Sequence, residues 1–393
     1  MTGYFSTSIS DSEGVTDGLS DIVSIAPADP VGLAFLRALL TEVVAVKASD
    51  LHLTVGRPPM VRIHGDLRPL ELPGELAVAS AELSAGDTES ILRDLFTDEE
   101  WETFQEVLER DRSFEVEGVA RFRVNIFLQQ GALGAVFRVI PSKVPSLESL
   151  GAPGALGDMA RLARGLVLVT GPTGSGKTTT LAAILDQANA TRPAHILTIE
   201  DPIEFVHKHK MAVINQREVG TDTHTFAAAL KHALRQDPDI ILVGELRDLE
   251  TTQVAISAAE TGHLVLATLH TKGAAATIDR LIDIFPSGQQ AQIRTQLANT
   301  LQAVVSQSLL PSKGGNGRQL VAEVMLATPA IRSLIREGKT FQIPSAMHSG
   351  SDVGMTTFDR ELASLVSRDL IEYRVAYEAA QDPLDFARLA GRG

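Results

Sequence analysis

The stretch Leu166-Val167-Leu168-Val169-Thr170-Gly171-Pro172-Thr173-Gly174-Ser175-Gly176-Lys177-Thr178-Thr179 decides the fold. Leu166–Thr170 is a short apolar run rich in β-branched residues, the composition of a strand buried on both faces. Gly171 to Thr178 then satisfies the spacing G-x-x-x-x-G-K-[ST], and a helical pattern runs from Thr178 to Ala190. Strand, glycine loop and helix in that order form the context a phosphate cradle needs. Glycines let backbone N–H groups approach phosphate closely, and the helix N-terminus adds favourable partial charge. The loop predicts a binding set of Gly171, Pro172, Thr173, Gly174, Ser175, Gly176, Lys177, Thr178 and Thr179, with Lys177 reaching the β- and γ-phosphates of a nucleotide and the Thr178 hydroxyl on Mg²⁺.

Working outward, further apolar strands are expected at His195–Ile199, Ile240–Val243, Leu264–Thr268 and Leu320–Met325. They alternate with helical stretches at Thr225–Gln236, Glu250–Thr261, Ala274–Phe285 and Gln289–Leu309. That alternation indicates an α/β domain whose parallel sheet is covered on both faces. Two acidic clusters fall at strand ends: Glu200, Asp201 and Glu204 follow one strand, and Glu245 follows another. Ligands in open α/β sheets collect at that edge, so these carboxylates are candidates for activating water and organising a metal. The run Thr261–Thr271 is a strand bracketed by His263 and His270, either of which could sense or stabilise a γ-phosphate. His207-Lys208-His209-Lys210 has no third ligand nearby and reads as a solvated loop.

Upstream, residues 31–140 read as a small α+β domain. Leu33, Leu36, Leu39, Leu40, Val43 and Val44 keep helical spacing, and Asp50–Val55 alternates as a half-buried strand does. A second strand is expected over Pro59–Gly65, helices over Thr88–Phe96 and Asp98–Glu109, and strands over Ser113–Val116, Ala120–Leu128 and Gly134–Ile140. Residues 1–30 carry five acids and no Lys or Arg and read as a disordered tail. Residues 141–164 are rich in Pro and Gly and read as a linker, and residues 165–393 form the nucleotide domain, mainly helical from about 329 onward.

The whole chain has 393 residues, no Cys, and 35 Lys+Arg against 49 Asp+Glu, for a net charge of −14. Absence of Cys excludes a disulfide scaffold, a thiolate zinc site, an iron–sulfur cluster and a cysteine nucleophile. The acidic balance argues against a nucleic-acid partner, which usually faces a basic footprint. No uncharged apolar run reaches the ~18 residues that span a bilayer, and the first residues lack the positive start of a secretory signal. A cytoplasmic protein without a transmembrane segment is the expectation.

Taken together these motifs resemble the secretion ATPases, and most closely the PilT-like retraction ATPases of type IV pili. The resemblance runs from about residue 31 onward. It is carried by Ala48-Ser49-Asp50-Leu51-His52-Leu53, Phe122-Arg123-Val124-Asn125, the glycine loop, Thr198–Phe205, Gly244-Glu245-Leu246-Arg247-Asp248, the histidine strand and Ala330–Glu337. Gly354–Asp359 fits as well.

The resemblance implies a RecA-like P-loop ATPase domain with a smaller PAS-like N-terminal domain, assembled as a homohexameric ring. ATP and Mg²⁺ would sit between the two domains and near a neighbouring subunit. By carry-over, Glu204 would be the general base, Glu245 would organise Mg²⁺ and its water shell with Glu200 and Asp201 close by, and Arg123 and Arg138 would be fingers on the phosphate charge. Ala330, Ile331, Arg332, Leu334, Ile335 and Arg336 would couple the motor to retraction, with the apolar face packed and the arginines facing outward. The implied location is the pilus base, peripheral to the inner membrane. The implied partners are an inner-membrane platform protein and other pilus motor ATPases. Gly131 stands where relatives often carry Arg, and Ser333 where they carry Asn. Extension ATPases usually add a four-cysteine zinc insertion and a longer N-terminal region, which this chain lacks. An accessory PilU-like paralogue is the nearest alternative. A catalytically silent ring subunit or adaptor is a third, opposed by intact Lys177, Thr178, Glu204 and Glu245.

Overall fold

The computed structural model describes residues 32–63, 65–72, 82–141, 143–315 and 317–391. The expected acidic tail lies outside the described residues. By compactness the chain divides into two units. One comprises residues up to Arg110 together with Asn125–Phe137, and the other comprises Asp111–Val124 and Arg138–Gly393. The expected boundary at residue 140 therefore differs from the division observed.

In the first part of the chain the elements are α1 (Leu33–Ala45), β1 (Asp50–Leu53), β2 (Met60–Ile63), β3 (Asp66–Pro69), α2 (Ala85–Arg93), α3 (Asp98–Val107), β4 (Glu109–Val116), β5 (Ala120–Gln129) and β6 (Ala132–Ile140). The six strands form one sheet in the order β3-β2-β1-β6-β5-β4. Phe35, Leu36, Leu39, Leu40 and Val43 are the buried stripe of α1, at the spacing an amphipathic helix requires. Two capping boxes start the next helices: Ser84 with Asp87 on α2, and Thr97 with Glu100 on α3.

The remaining elements are α4 (Ala155–Met159), β7 (Gly165–Thr170), α5 (Lys177–Thr191), β8 (His195–Glu200), β9 (Val213–Glu218), α6 (Phe226–Ala233), β10 (Ile240–Val243), α7 (Leu249–Glu260), β11 (Leu264–Leu269), α8 (Ala274–Asp283), α9 (Ser287–Thr300), β12 (Leu301–Pro311), β13 (Arg318–Leu326), α10 (Pro329–Arg336), α11 (Ile343–Ser349), α12 (Phe358–Ser367), α13 (Tyr373–Ala379) and α14 (Pro383–Leu389). Seven strands run in the order β13-β12-β7-β11-β10-β8-β9. All neighbours pair in parallel except β12 with β13. One face is covered by a core that includes residues of α6 to α11, the other by a core under α4 and α5. Every residue of β7, β10 and β11 is buried, as the continuous apolar runs require. Register then fixes the site: Thr170 pairs with Leu269, and Val243 pairs with both Ala267 and Ile199. The loops after β7, β8, β10 and β11 therefore open on one sheet edge.

Two expectations fail here. The helix expected over Gln289–Leu309 ends at Thr300, and Leu301–Pro311 is β12, paired to β7 and β13. The switch occurs at Leu301 itself, which has φ −60° and ψ 131° with no Gly or Pro to announce it. Strand β9 has no counterpart among the expected strands. It sits at the sheet edge, and its Val-Ile-Asn-Gln-Arg-Glu sequence has no apolar run. Within the Pro/Gly-rich stretch 141–164, α4 places Leu156 and Met159 in the core beneath the sheet. No described helix is long and apolar enough to cross a membrane.

Candidate functional site

A cavity of about 520 Å³ lies at that edge, lined by residues of the second unit. Its floor is the glycine loop. Gly171 adopts φ 141°, and a Cβ there would lie 2.2 Å from the Gln307 carbonyl oxygen. Gly176, at φ 85°, caps α5 in the left-handed region that favours glycine. The Lys177 ammonium curls over the loop and donates to the carbonyls of Gly171 at 2.9 Å and Pro172 at 3.1 Å. Burial lowers its pKa, opposed by the negative charges of Glu245 and Glu204. Gln307 Nε2 donates to the Ser175 carbonyl at 2.7 Å from strand β12. Thr173, Gly174, Gly176, Lys177, Thr178 and Thr179 face the cavity, while Gly171, Pro172 and Ser175 shape the loop without lining it.

The loop fits a polyphosphate on grounds internal to this chain. It holds positive-φ glycines at Gly171, Gly174 and Gly176 that shape the backbone, a buried ammonium held only by carbonyls, and the Ser175 hydroxyl buried without a hydrogen-bond partner. Gly171→Ala is expected to be severely destabilising. The Cβ meets backbone rather than a flexible side-chain end, and the left-handed φ alone costs about 1–2 kcal/mol. Thermal denaturation should show a drop of several degrees together with loss of nucleotide binding.

The carboxylates differ sharply in environment. Glu200 is buried and accepts hydrogen bonds from Thr198 Oγ1 at 2.6 Å and Gln216 Nε2 at 3.1 Å. Burial pushes its pKa up to about 7, against the lowering effect of those bonds. Glu245 is paired with Arg247 Nη2 at 2.8 Å and His270 Nε2 at 3.2 Å. Partial burial pushes its carboxyl up, but Arg247 and His270 outweigh that and hold it below the usual range. Asp201 and Glu204 are exposed and line the cavity. Glu204 projects between the buried side chains of Ile203 and Phe205.

The Glu200 environment has a pH signature. A native pKa near 7 against 4.5 unfolded means the folded chain binds more protons between those values. Its protonated form therefore stabilises the fold at low pH, and that stability falls away as pH rises from about 4.5 through 7. Glu200→Gln keeps an acceptor for Thr198 and Gln216. Its melting temperature at pH 8 is expected to exceed that of the unsubstituted chain, with the gap closing near pH 5.

Other expected residues scatter. Arg123, on the part of β5 that belongs to the second unit, lines the cavity, and so does His270. Arg138 lies on β6 and is not among the lining residues. His263 sits at the opposite end of β11, about 20 Å away by strand rise, where its Nδ1 meets the Ala258 carbonyl at 2.9 Å. Alternation cannot separate two histidines that bracket one strand; parallel pairing with β7 does. Arg332 does not face outward as expected. It caps the C-terminus of α9, donating to the carbonyls of Ala298 at 2.6 Å and Asn299 at 3.1 Å, and to Gln302 Oε1 at 3.2 Å. Ile331 and Ile335 are buried, Leu334 is half-buried against the same core, and Ala330 and Arg336 are exposed. Sequence reasoning missed Gln307, Arg318 and the strand β9 side chains, and gave Arg247 no role of its own. Gln307 could have been found only by recognising β12 as a strand.

A model of the family described as type II/IV secretion system protein matches residues 119–353. The chain is 52% identical over 351 residues to the type IV pilus retraction ATPase PilT of Pseudomonas aeruginosa, covering 88% of this chain and 99% of the relative. It is 49% identical over 352 residues to a twitching motility protein of Neisseria gonorrhoeae, covering 90% of this chain and 92% of the relative. Its structure is similar to that of the pilus retraction motor PilT with bound ADP, with a TM-score of 0.83 at 44% identity, covering 90% of this chain and 99% of that one.

Proposed function

Because the chain belongs to the type II/IV secretion system protein family, we propose that it is an ATP-hydrolysing motor that drives retraction of type IV pili. The observation that carries this reading is the convergence of the glycine loop, Lys177, Glu204, Glu245 and Arg123 on one cavity. The similarity to retraction motors supports the mechanical task.

In this reading the phosphates of ATP lie along the loop N–H groups, and Lys177 turns from its backbone carbonyls to the β- and γ-phosphates. Thr178 and Glu245 would hold Mg²⁺ and its waters, and the ion would neutralise charge on the phosphate oxygens. Glu204 orients a water and takes its proton as the oxygen attacks the γ-phosphorus; the bond from that phosphorus to the β,γ-bridging oxygen breaks, and ADP leaves with the electron pair, giving ADP and inorganic phosphate. Arg123 offsets the charge that develops on the transferred phosphoryl group. Glu200, buried and only partly ionised near pH 7, is held by Thr198 and Gln216 beside them.

The working assembly is a homohexameric ring at the cytoplasmic side of the pilus base, in contact with an inner-membrane platform protein and other pilus motors. Ile331, Leu334 and Ile335 seat α10, Arg332 ties it to α9, and Ala330 and Arg336 are left at the surface for coupling. Deletion of the gene in a piliated host tests the direction of work: excess, non-retracting pili support retraction, and absent pili contradict it.

A further inference from the structure

We infer that Gln216 and Glu218, on edge strand β9, are positioning residues that hold Glu204 in place for its action on water. The inference rests on the reading of Glu204 given above. It starts from the loop Asp201–His207, whose residues belong to no helix or strand and so lack ladder hydrogen bonds of their own. The backbone on either side of Glu204 is held instead by two side chains. Glu218 Oε2 accepts from Ile203 N–H at 3.1 Å. The carboxamide of Gln216 works in both senses: its Nε2 donates to the Phe205 carbonyl at 2.8 Å, and its Oε1 accepts from His207 N–H at 2.7 Å. Gln216 thus supplies the donor and acceptor that another strand would have offered.

The sequence of β9 makes this possible. Alternate residues of a strand point to one face, so Gln216 and Glu218 reach the loop together. Parallel register sets Gln216 beside Thr198 and Glu218 beside Glu200, at the end of β8 from which the loop departs. Both clamps are themselves fixed. Glu218 Oε2 also accepts from Arg121 Nη2 at 2.7 Å, and its side chain is only 3% exposed. Gln216 Nε2 also reaches Glu200 Oε1 at 3.1 Å. With Ile203 and Phe205 buried on either side, a peptide pinned at residues 203, 205 and 207 leaves Glu204 one direction, into the cavity. Reacting groups must be held to about 0.5 Å, and a displacement near 1 Å can cost ~10²-fold in rate.

The test uses the full-length chain, steady-state ATP turnover, and affinity for a fluorescent ATP analogue as a check on folding. Gln216→Met keeps side-chain length but neither donates nor accepts in this way. Glu218→Leu removes the acceptor, and Glu218→Gln retains one. Gln216→Met and Glu218→Leu are each expected to lower kcat about 10- to 100-fold with KM and analogue affinity within about threefold, while Glu218→Gln restores most of the rate. In a Glu204→Gln background the same changes should produce no further loss, because they act through the missing carboxylate. Unchanged kcat in Gln216→Met beside an inactive Glu204→Gln, or losses that multiply in the double variants, would overturn the inference alone. Normal turnover in Glu204→Gln would overturn the base assignment, and the inference with it.

Discussion

Glu204→Gln in the full-length chain is expected to lower ATP turnover by at least about 10²-fold, with nucleotide affinity changed less than threefold. Among the described residues four acids line the cavity, and their surroundings single out Glu204. Glu200 is buried, held by Thr198 and Gln216, and raised to a pKa of about 7, so near neutral pH it carries only part of a charge and faces the floor. Glu245 is ion-paired to Arg247 and His270, which hold its pKa below the usual range and weaken it as a base. Asp201 lines the cavity as well, and its charge acts on Arg247. Glu204 is exposed to the cavity and fixed through its backbone, and its charge is felt at Lys177. The substitution keeps shape and removes the negative charge together with the ability to take a proton. Turnover close to that of the unsubstituted chain would move the base to Asp201 or Glu245.

Lys177→Ala is expected to weaken nucleotide binding by about 10²-fold or more, since charge-assisted hydrogen bonds buried with their partners carry about 1.5–3 kcal/mol each and the ammonium serves two phosphates. In the described structure the ammonium is held by two carbonyl oxygens of its own loop. No carboxylate pairs directly with it, although Glu245 and Glu204 act on it through space. A buried cation facing only neutral acceptors gains most when anionic oxygens arrive. Titration with a fluorescent nucleotide reads the loss directly. Affinity within threefold of the unsubstituted chain would show that the loop N–H groups suffice and that Lys177 is a structural clamp on Gly171 and Pro172.

The glycine loop and the parallel sheet around it were legible because both rest on local rules. Leu166–Thr170 is buried on both faces and so reads as one apolar run, and glycine spacing is dictated by backbone approach. Glu204, Glu245 and His270 could be nominated because each closely follows a recognisable strand, and Arg123 through the resemblance carried by Phe122-Arg123-Val124-Asn125. What stayed hidden depends on pairing. Leu301–Pro311 continues directly from a helix with no break in its apolar spacing, so β12 and with it Gln307 carry no local signal. Val213–Glu218 is an edge strand whose polar residues point at a loop, and nothing local distinguishes them from surface residues. His263 and His270 look equivalent in sequence and separate only when strand direction is known. Arg332 was expected at the surface from helical spacing, yet α9 ends beside it and takes its guanidinium as a cap.

On the proposed function, ATP turnover at this site powers pilus retraction. Fluorescently labelled pili, followed in a deletion strain complemented with either the unsubstituted chain or Glu204→Gln, test it most directly. Retraction events are expected to return with the unsubstituted chain and to be absent with Glu204→Gln, whose cells should stay covered in extended pili. Retraction at the normal frequency in Glu204→Gln cells that contain no other copy of the gene would contradict the account.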